Sequence, residues 1–274
     1  MKPIKTALLA SIAFVSINLT AQPRQLTKVL ELKMPKDDID FNNGVKGASV
    51  CWNPVTKKYY AVFSGSNNFP LGVFDEKGQL LTDTSLSAMQ DVRGLWYNPV
   101  TKKICGNAGN DGGWFSYTLN SKGVPVSSKT DMGGMKQPDE NSTAAFDPGS
   151  QTVYFFDKGK FVFYNNKGAV TKKLAIHFGQ PQVLGPAEFE NEDNENPDYN
   201  QTTVVHTGSK TSPAGLLNAK RNRIELYDLK QGYLQQILLL PDDEQYGSRA
   251  LNFAYANGIY WLYNIYTRAW MGFK

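Results

Sequence analysis

The chain has 274 residues, 41% of them hydrophobic and 12% aromatic, with 29 Lys and Arg against 25 Asp and Glu. A net charge of +4 gives no basic excess of the kind a nucleic-acid binder carries, and two cysteines make no disulfide framework. No apolar run beyond the N-terminus reaches the length of a membrane helix, the nearest being the strand-sized "LQQILLLP".

At the N-terminus, Lys2 and Lys5 precede the apolar stretch "TALLASIAFVSINL", and the small residue Ala21 precedes Gln22. A short apolar segment behind a positive start reads as a secretory signal over residues 1–21, leaving 22–274 as a single domain. The expected location is therefore outside the cytoplasm: periplasmic, cell-surface or secreted. Without Lys2 and Lys5 the 29 basic residues become 27, and the exported chain is close to neutral. An oxidising compartment permits a bridge between Cys51 and Cys105; two buried thiols fit the sequence as well.

Next comes a phrase written twice. "WNPVTKKYY" starts at Trp52 and "YNPVTKKIC" at Tyr97, 45 residues later. Gly78, Gly123 and Gly168 fall at the same 45-residue spacing, and a third copy runs through "AAFDPGSQTVYFF". Trp52, Tyr97 and Phe146 hold one recurring position; Phe74, Leu119 and Tyr164 hold another. Each copy reads as four short strands: in the first, "ASVCW", "YYAVFSG", "LGVFD" and "QLLTD", separated by Asn-Pro and Lys-Gly turns. Four antiparallel strands per period of about 45 residues make a propeller blade.

Two weaker copies follow. In the fourth, "PQVLGPAEFE" reads as the first strand, "NEDNENPDYN" as an expanded first turn, and "TTVVHTGS" and "RIELYDLKQGYLQQILL" as the remaining strands. The last runs from "RALNFAYANGIYWLYN" to "AWMGFK" and is one strand short, which the N-terminal "LTKVLELKMP" can supply. The expected architecture is an all-β, five-bladed β-propeller whose last blade is closed by an N-terminal strand. The segments "NPVTKKYY", "NPVTKKIC" and "DPGSQTVY" resemble the repeats of secreted bacterial β-propeller proteins, whose blades carry an Asn/Asp-Pro turn before an aromatic strand. The resemblance implies the fold; it names no functional family and carries over no catalytic residues.

Propeller topology sorts connections onto two faces. Turns between first and second strands, and between third and fourth, share one face, which places Lys57, Lys58, Lys77, Lys102, Lys103, Lys122 and Lys167 together, interrupted by the acidic stretch Glu192–Asp198. The other face is expected to carry the long loops "SGSNNFP", "GNAGNDGGWF", "KTDMGGMKQPDEN", "TGSKTSPAGLLNAKRN" and "PDDEQYGSR". Long loops on a rigid scaffold are where binding groups usually sit. Ligand-binding candidates are Lys46, Arg93 and Arg249 around the channel mouth and Trp114 as a stacking platform or a plug for its own loop.

His177 and His206 are isolated from other metal-ligating residues, so no metal or cofactor is expected. No G-x-S-x-G elbow, phosphate loop or Cys/His nucleophile pair is present. The sequence therefore points to an exported, non-catalytic propeller that binds or scaffolds a protein or glycan partner through its loop-rich face. The alternative is a carbohydrate-active enzyme using Asp91 and Glu140 at the channel mouth as acid and base.

Overall fold

The structure is a computed structural model that describes residues 23–36, 45–181, 198–242 and 250–274. The expected signal over residues 1–21, Arg249 and residues 192–197 of the acidic stretch lie outside the described residues.

In chain order, β1 (Arg24–Gln25) and β2 (Lys28–Lys33) come first. Blade one follows with β3 (Gly47–Asn53), β4 (Lys58–Phe63) and β5 (Leu71–Phe74). Blade two holds β6 (Val92–Asn98), β7 (Lys103–Ala108), β8 (Gly113–Leu119) and β9 (Pro125–Met132). Blade three holds β10 (Ala145–Asp147), β11 (Thr152–Asp157), β12 (Lys160–Tyr164) and β13 (Val170–Ala175). After β14 (His177–Pro181), blade four runs through β15 (Val205–His206), β16 (Ala214–Asn218), β17 (Arg223–Tyr227) and β18 (Tyr233–Leu239). Blade five is β19 (Phe253–Ala256), β20 (Ile259–Asn264) and β21 (Ala269–Phe273). These strands form five sheets, each an antiparallel meander from an inner to an outer strand. The protein is a five-bladed β-propeller.

Period-two alternation explains the ring. Along β4, Tyr59, Ala61 and Phe63 pack against Trp261, Tyr263 and Trp270 of blade five. The intervening Tyr60 and Val62 pack against Val92, Ile104 and Tyr117 of blade two. Side chains of a strand point alternately to opposite faces, so a blade with both faces apolar must be sandwiched between neighbours. The same division recurs at the other three seams, giving one buried cluster between each pair of adjacent blades. Glycine makes one seam fit: a Cβ on Gly47 would lie 2.5 Å from the Trp270 ring.

The N-terminal segment closes the wheel as expected. β2 pairs antiparallel with β21, Leu32 opposite Trp270. β1 continues onto blade four, pairing in parallel with β18 through Arg24 and Gln25, while β14 pairs in parallel with the other end of β18. The outer edge of blade four is thus covered along much of its length, which removes a template for edge-to-edge aggregation. In blade one the fourth strand is reduced to the isolated bridges Phe74–Leu80 and Pro70–Ser87.

The recurring Gly78, Gly123 and Gly168 sit at φ of 81°, 72° and 70°. Before each, Asp75, Asn120 or Asn165 accepts backbone N–H groups two and four residues ahead at 2.8–3.1 Å. A side-chain oxygen that mimics a turn carbonyl, followed by a residue free to take positive φ, is why this spacing is so legible in the sequence.

Blade four departs from the sequence reading. "TTVVHTGS" contains the innermost strand, because β15 pairs only with β16 in a four-step meander out to β18. The loop over residues 207–213 is therefore a first-to-second-strand connection and joins the lysine turns. The acidic stretch precedes this innermost strand in the chain, and all of it but Asp198 lies outside the described residues. Its described end, Asp198, lies 3.3 Å from Lys220 in the turn between β16 and β17.

Candidate functional site

The inner strands β3, β6, β10, β15 and β19 surround the axis, and their two ends differ. Where the strands begin, every seam is stitched by hydrogen bonds. Gly47 N donates to Asn252 Oδ1 at 2.7 Å, while Asn252 N donates to the Gly47 carbonyl at 2.8 Å. Leu95 N donates to Ser49 Oγ at 3.1 Å, and Ala144 N to Asn107 Oδ1 at 3.2 Å. Thr143 N donates to the Thr202 carbonyl at 2.8 Å, and Leu251 N to Thr202 Oγ1 at 2.7 Å. Blades five to one, one to two, two to three, three to four and four to five are joined in that order.

The charged residues expected at this mouth are engaged in the same stitching. Arg93 is 5% exposed, and its guanidinium forks onto both carboxylate oxygens of Asp91 while Nε donates to the Glu140 carbonyl at 3.0 Å. Gly65 N adds a 2.7 Å bond to Asp91 Oδ1, and Asn110 Nδ2 reaches Oδ2 at 3.4 Å. Asp91 thus serves as the acceptor hub between blades one and two. Glu140 contributes its main chain, and its side chain is exposed at an open depression of about 430 Å³ with Asp111 and Asp139. Lys46 likewise offers its carbonyl, to Ser64 N at 3.0 Å, and its side chain is exposed. Trp114 is 7% exposed; its indole N–H donates to the Lys136 carbonyl at 3.2 Å and its ring meets Trp96 and Tyr164 edge-on. The plug reading of Trp114 describes its placement, and an indole so buried has no free face for stacking.

Where the inner strands end, the axis opens into a cavity of about 310 Å³. Its lining runs from Ser49, Thr143 and Val204 inside to Pro54, Pro148, Gly208 and Asn257 at the rim. A ring-bearing side chain stands at each seam. Trp52 packs into the five–one cluster, Tyr97 into the one–two cluster and Trp96 into the two–three cluster. His206 meets Tyr154 of the three–four cluster, and Tyr255 packs on the four–five cluster. All five are partly exposed and line the cavity. Among the described residues, no Lys, Arg, Asp or Glu lines it.

Polar groups are few and fixed. Asn257 Nδ2 donates to Tyr59 Oη at 2.8 Å, and Tyr59 meets Trp52 at a tilt of 48° with ring centroids 4.5 Å apart. His206 Nδ1 lies 3.1 Å from Tyr154 Oη, and its Nε2 faces Asp147 Oδ1 at 3.8 Å. Burial lowers the His206 pKa below its ordinary value, partly countered by Asp147. Burial alone would raise Asp147, but hydrogen bonds from Ser150 and Gly149, with His206 nearby, hold its carboxyl below the usual range. The cavity therefore presents His206, whose neutral form burial favours, while the Asp147 carboxylate facing it is not part of the described lining. It is suited to a small ring-shaped body held by stacking, with a few hydrogen bonds at its edge.

Both cysteines are free thiols. Cys51 is buried and its pKa is pushed up by that burial and by Cys105, while burial with help from Asp131 raises Cys105 to about 12. Neither is a ready thiolate. Among the described residues no three His, Cys, Asp or Glu side chains converge to hold a metal ion.

The charged candidates stand ahead of the inner strands, at the end of the axis opposite the cavity. Trp52, Tyr97 and Phe146 hold one recurring aromatic position in the sequence. That position falls at the cavity.

No protein-family model matches the chain, and no curated protein matches it. Solved structures do. The glutaminyl cyclase of Myxococcus xanthus is 9% identical with a TM-score of 0.55, over 92% of this chain and 97% of that one. A streptogramin B lyase is 11% identical with a TM-score of 0.41, over 86% of this chain and 65% of that one. At such identity the first likeness concerns the fold alone: this chain is similar to that cyclase as one β-propeller is to another.

Proposed function

We propose that the protein is an exported, non-catalytic binding propeller whose site is the axial cavity, and that its ligand is a glycan. The observation that carries this is the uncharged cavity of about 310 Å³ with one ring-bearing side chain at each of the five seams. Saccharides present flat C–H patches that stack on Trp and Tyr, while their hydroxyls point sideways. The part-exposed His206 and Thr207 and the exposed Asn257 stand on the wall to meet such hydroxyls. Export rests on Lys2, Lys5 and the apolar stretch behind them. Catalysis by Asp91 and Glu140 has less support, because the Asp91 carboxylate is committed to Arg93, Gly65 and Asn110.

The test is calorimetric titration of the 22–274 chain with an oligosaccharide panel, beside Trp52→Ala and Tyr255→Ala. Binding weakened at least about fivefold by either substitution is expected, since one stacking contact contributes roughly 1–3 kcal/mol. Binding that both variants retain in full would place the ligand elsewhere. Mass spectrometry of the exported protein should find a chain beginning at Gln22.

A further inference from the structure

Around the cavity, the turns that share its face are basic. Lys57 and Lys102 occupy the same position in the first-to-second-strand turns of blades one and two, and Lys77, Lys122 and Lys167 the same position in third-to-fourth-strand turns. All five are exposed. The two kinds of turn are neighbours: Lys58 Nζ donates to the Lys122 carbonyl at 2.5 Å, and Tyr60 Oη donates to the Gly123 carbonyl at 2.6 Å. Among the described residues none of the five takes part in an ion pair. Of the acids in these turns, Asp75, Asp147 and Asp228 each accept backbone N–H groups, and Glu76 is exposed beside Lys77. Asp91, Asp111, Asp139 and Glu140 lie toward the other end of the axis, so lysines outnumber exposed acids among the described turns of this face.

A near-neutral chain has therefore separated its charge, and the basic side is the side on which the cavity opens. An uncharged pocket inside a positive field selects a ligand whose ring is uncharged at the point of insertion and whose charge lies outside it. Resting on the cavity reading above, we infer that the ligand is an acidic glycan: a terminal sugar ring enters the collar, and carboxylate or sulfate groups on the following units lie over the lysine turns. A heteroaromatic phosphate would carry the same charge, but stacking a flat base calls for two parallel walls. The collar here has five sides, one from each seam.

The experiment titrates the 22–274 chain with acidic oligosaccharides (uronate, sulfated and sialylated), each beside its neutral methyl ester or desulfated counterpart, and with a nucleoside monophosphate. Wild type is compared with Trp52→Ala and with the Lys57→Glu/Lys102→Glu double variant, each shown to be folded by a cooperative thermal transition above the assay temperature. At least one acidic member should bind about tenfold more tightly than its neutral partner at about 50 mM salt, with the gap closing by about 500 mM as screening shortens the field. The double lysine variant should erase that gap and leave the neutral partner's affinity unchanged, whereas Trp52→Ala should weaken both. Equal affinity for acidic and neutral partners overturns the inference and leaves the cavity reading standing. Acidic binding indifferent to Trp52→Ala overturns both, as does no binding by any saccharide. Tighter binding of the nucleotide than of every glycan overturns the ligand class.

Discussion

The two ends of the propeller axis are built from the same five strands and behave as opposites. At the end where the strands begin, polar side chains bridge neighbouring blades and are consumed in doing so: Asn107 alone holds Ala144 N, the Ser142 carbonyl and Gln137 Oε1. At the end where they finish, aromatic rings fill the gaps between blades and leave part of each ring uncovered. Directional bonds fix the spacing of the wheel; non-directional stacking leaves a surface that a ligand can complete. A charged cluster at a channel mouth is therefore ambiguous evidence of a site until its partners are known, and here Asp91 and Arg93 answer one another.

The widest separation between the two ends should appear in stability. Asn107 is fully buried, and Asn107→Leu would strand Ala144 N and the Ser142 carbonyl at the blade two–three seam. Unsatisfied buried polar groups cost about 1–3 kcal/mol each, so urea unfolding should show a loss of roughly 2–5 kcal/mol. Trp52→Ala, at the open end, should cost no more than about 2 kcal/mol, because the ring is already part-solvated and only some of its burial is lost. The comparison breaks if the order of these two variants is reversed.

The fold was legible because its determinants are local and repeated. An Asx turn with a positive-φ glycine leaves the same mark wherever it occurs, and Gly78, Gly123 and Gly168 announced three blades before any coordinates. Blade four escaped because its innermost strand is two residues long, Val205–His206, and follows a polar insertion with no turn signature. The aromatic collar was half legible. Trp52 and Tyr97 recur in register, but His206 and Tyr255 reach the same ring through blades whose repeats have drifted. Asp91 and Arg93 were found for a sound reason, their place at a strand entrance. What sequence could not convey is that Gly109 leaves room for the guanidinium: a Cβ there would sit 2.4 Å from it.

A smaller effect distinguishes the ends by pH. Burial lowers the His206 pKa below its unfolded value of 6.5, and the charged or titratable groups facing it are Asp147 and Tyr154. Between the folded and unfolded values the unfolded chain binds more protons, so stability rises with pH. The contribution is complete above the unfolded value and is lost progressively as pH falls beneath it. His177, outside the cavity, is shifted in the same direction by burial. His206→Gln should therefore flatten part of the fall in melting temperature between about pH 7 and pH 5, with His177→Gln removing the remainder. An unchanged slope in His206→Gln would mean that the imidazole stays solvated and the open end is wetter than its aromatic lining implies.

The smallest expected change in stability bears on why lysine stands at the rim at all. Lys57 and Lys102 adopt φ of 52° and 57°, a left-handed conformation that a residue with a Cβ enters at a cost and glycine enters freely. If the turns served the fold alone, Lys57→Gly and Lys102→Gly would be plain improvements. Each should raise the unfolding free energy by about 0.5 kcal/mol, less whatever extra freedom glycine gives the unfolded chain. The same substitutions remove a positive charge from the face where the cavity opens, so a gain in the urea midpoint should come with weaker binding of acidic saccharides. Stability and binding moving together would show that these lysines act through turn geometry. Movement in opposite directions ties the tolerated backbone strain to the charge it displays, which is the contrast that separates the open end of the axis from the closed one.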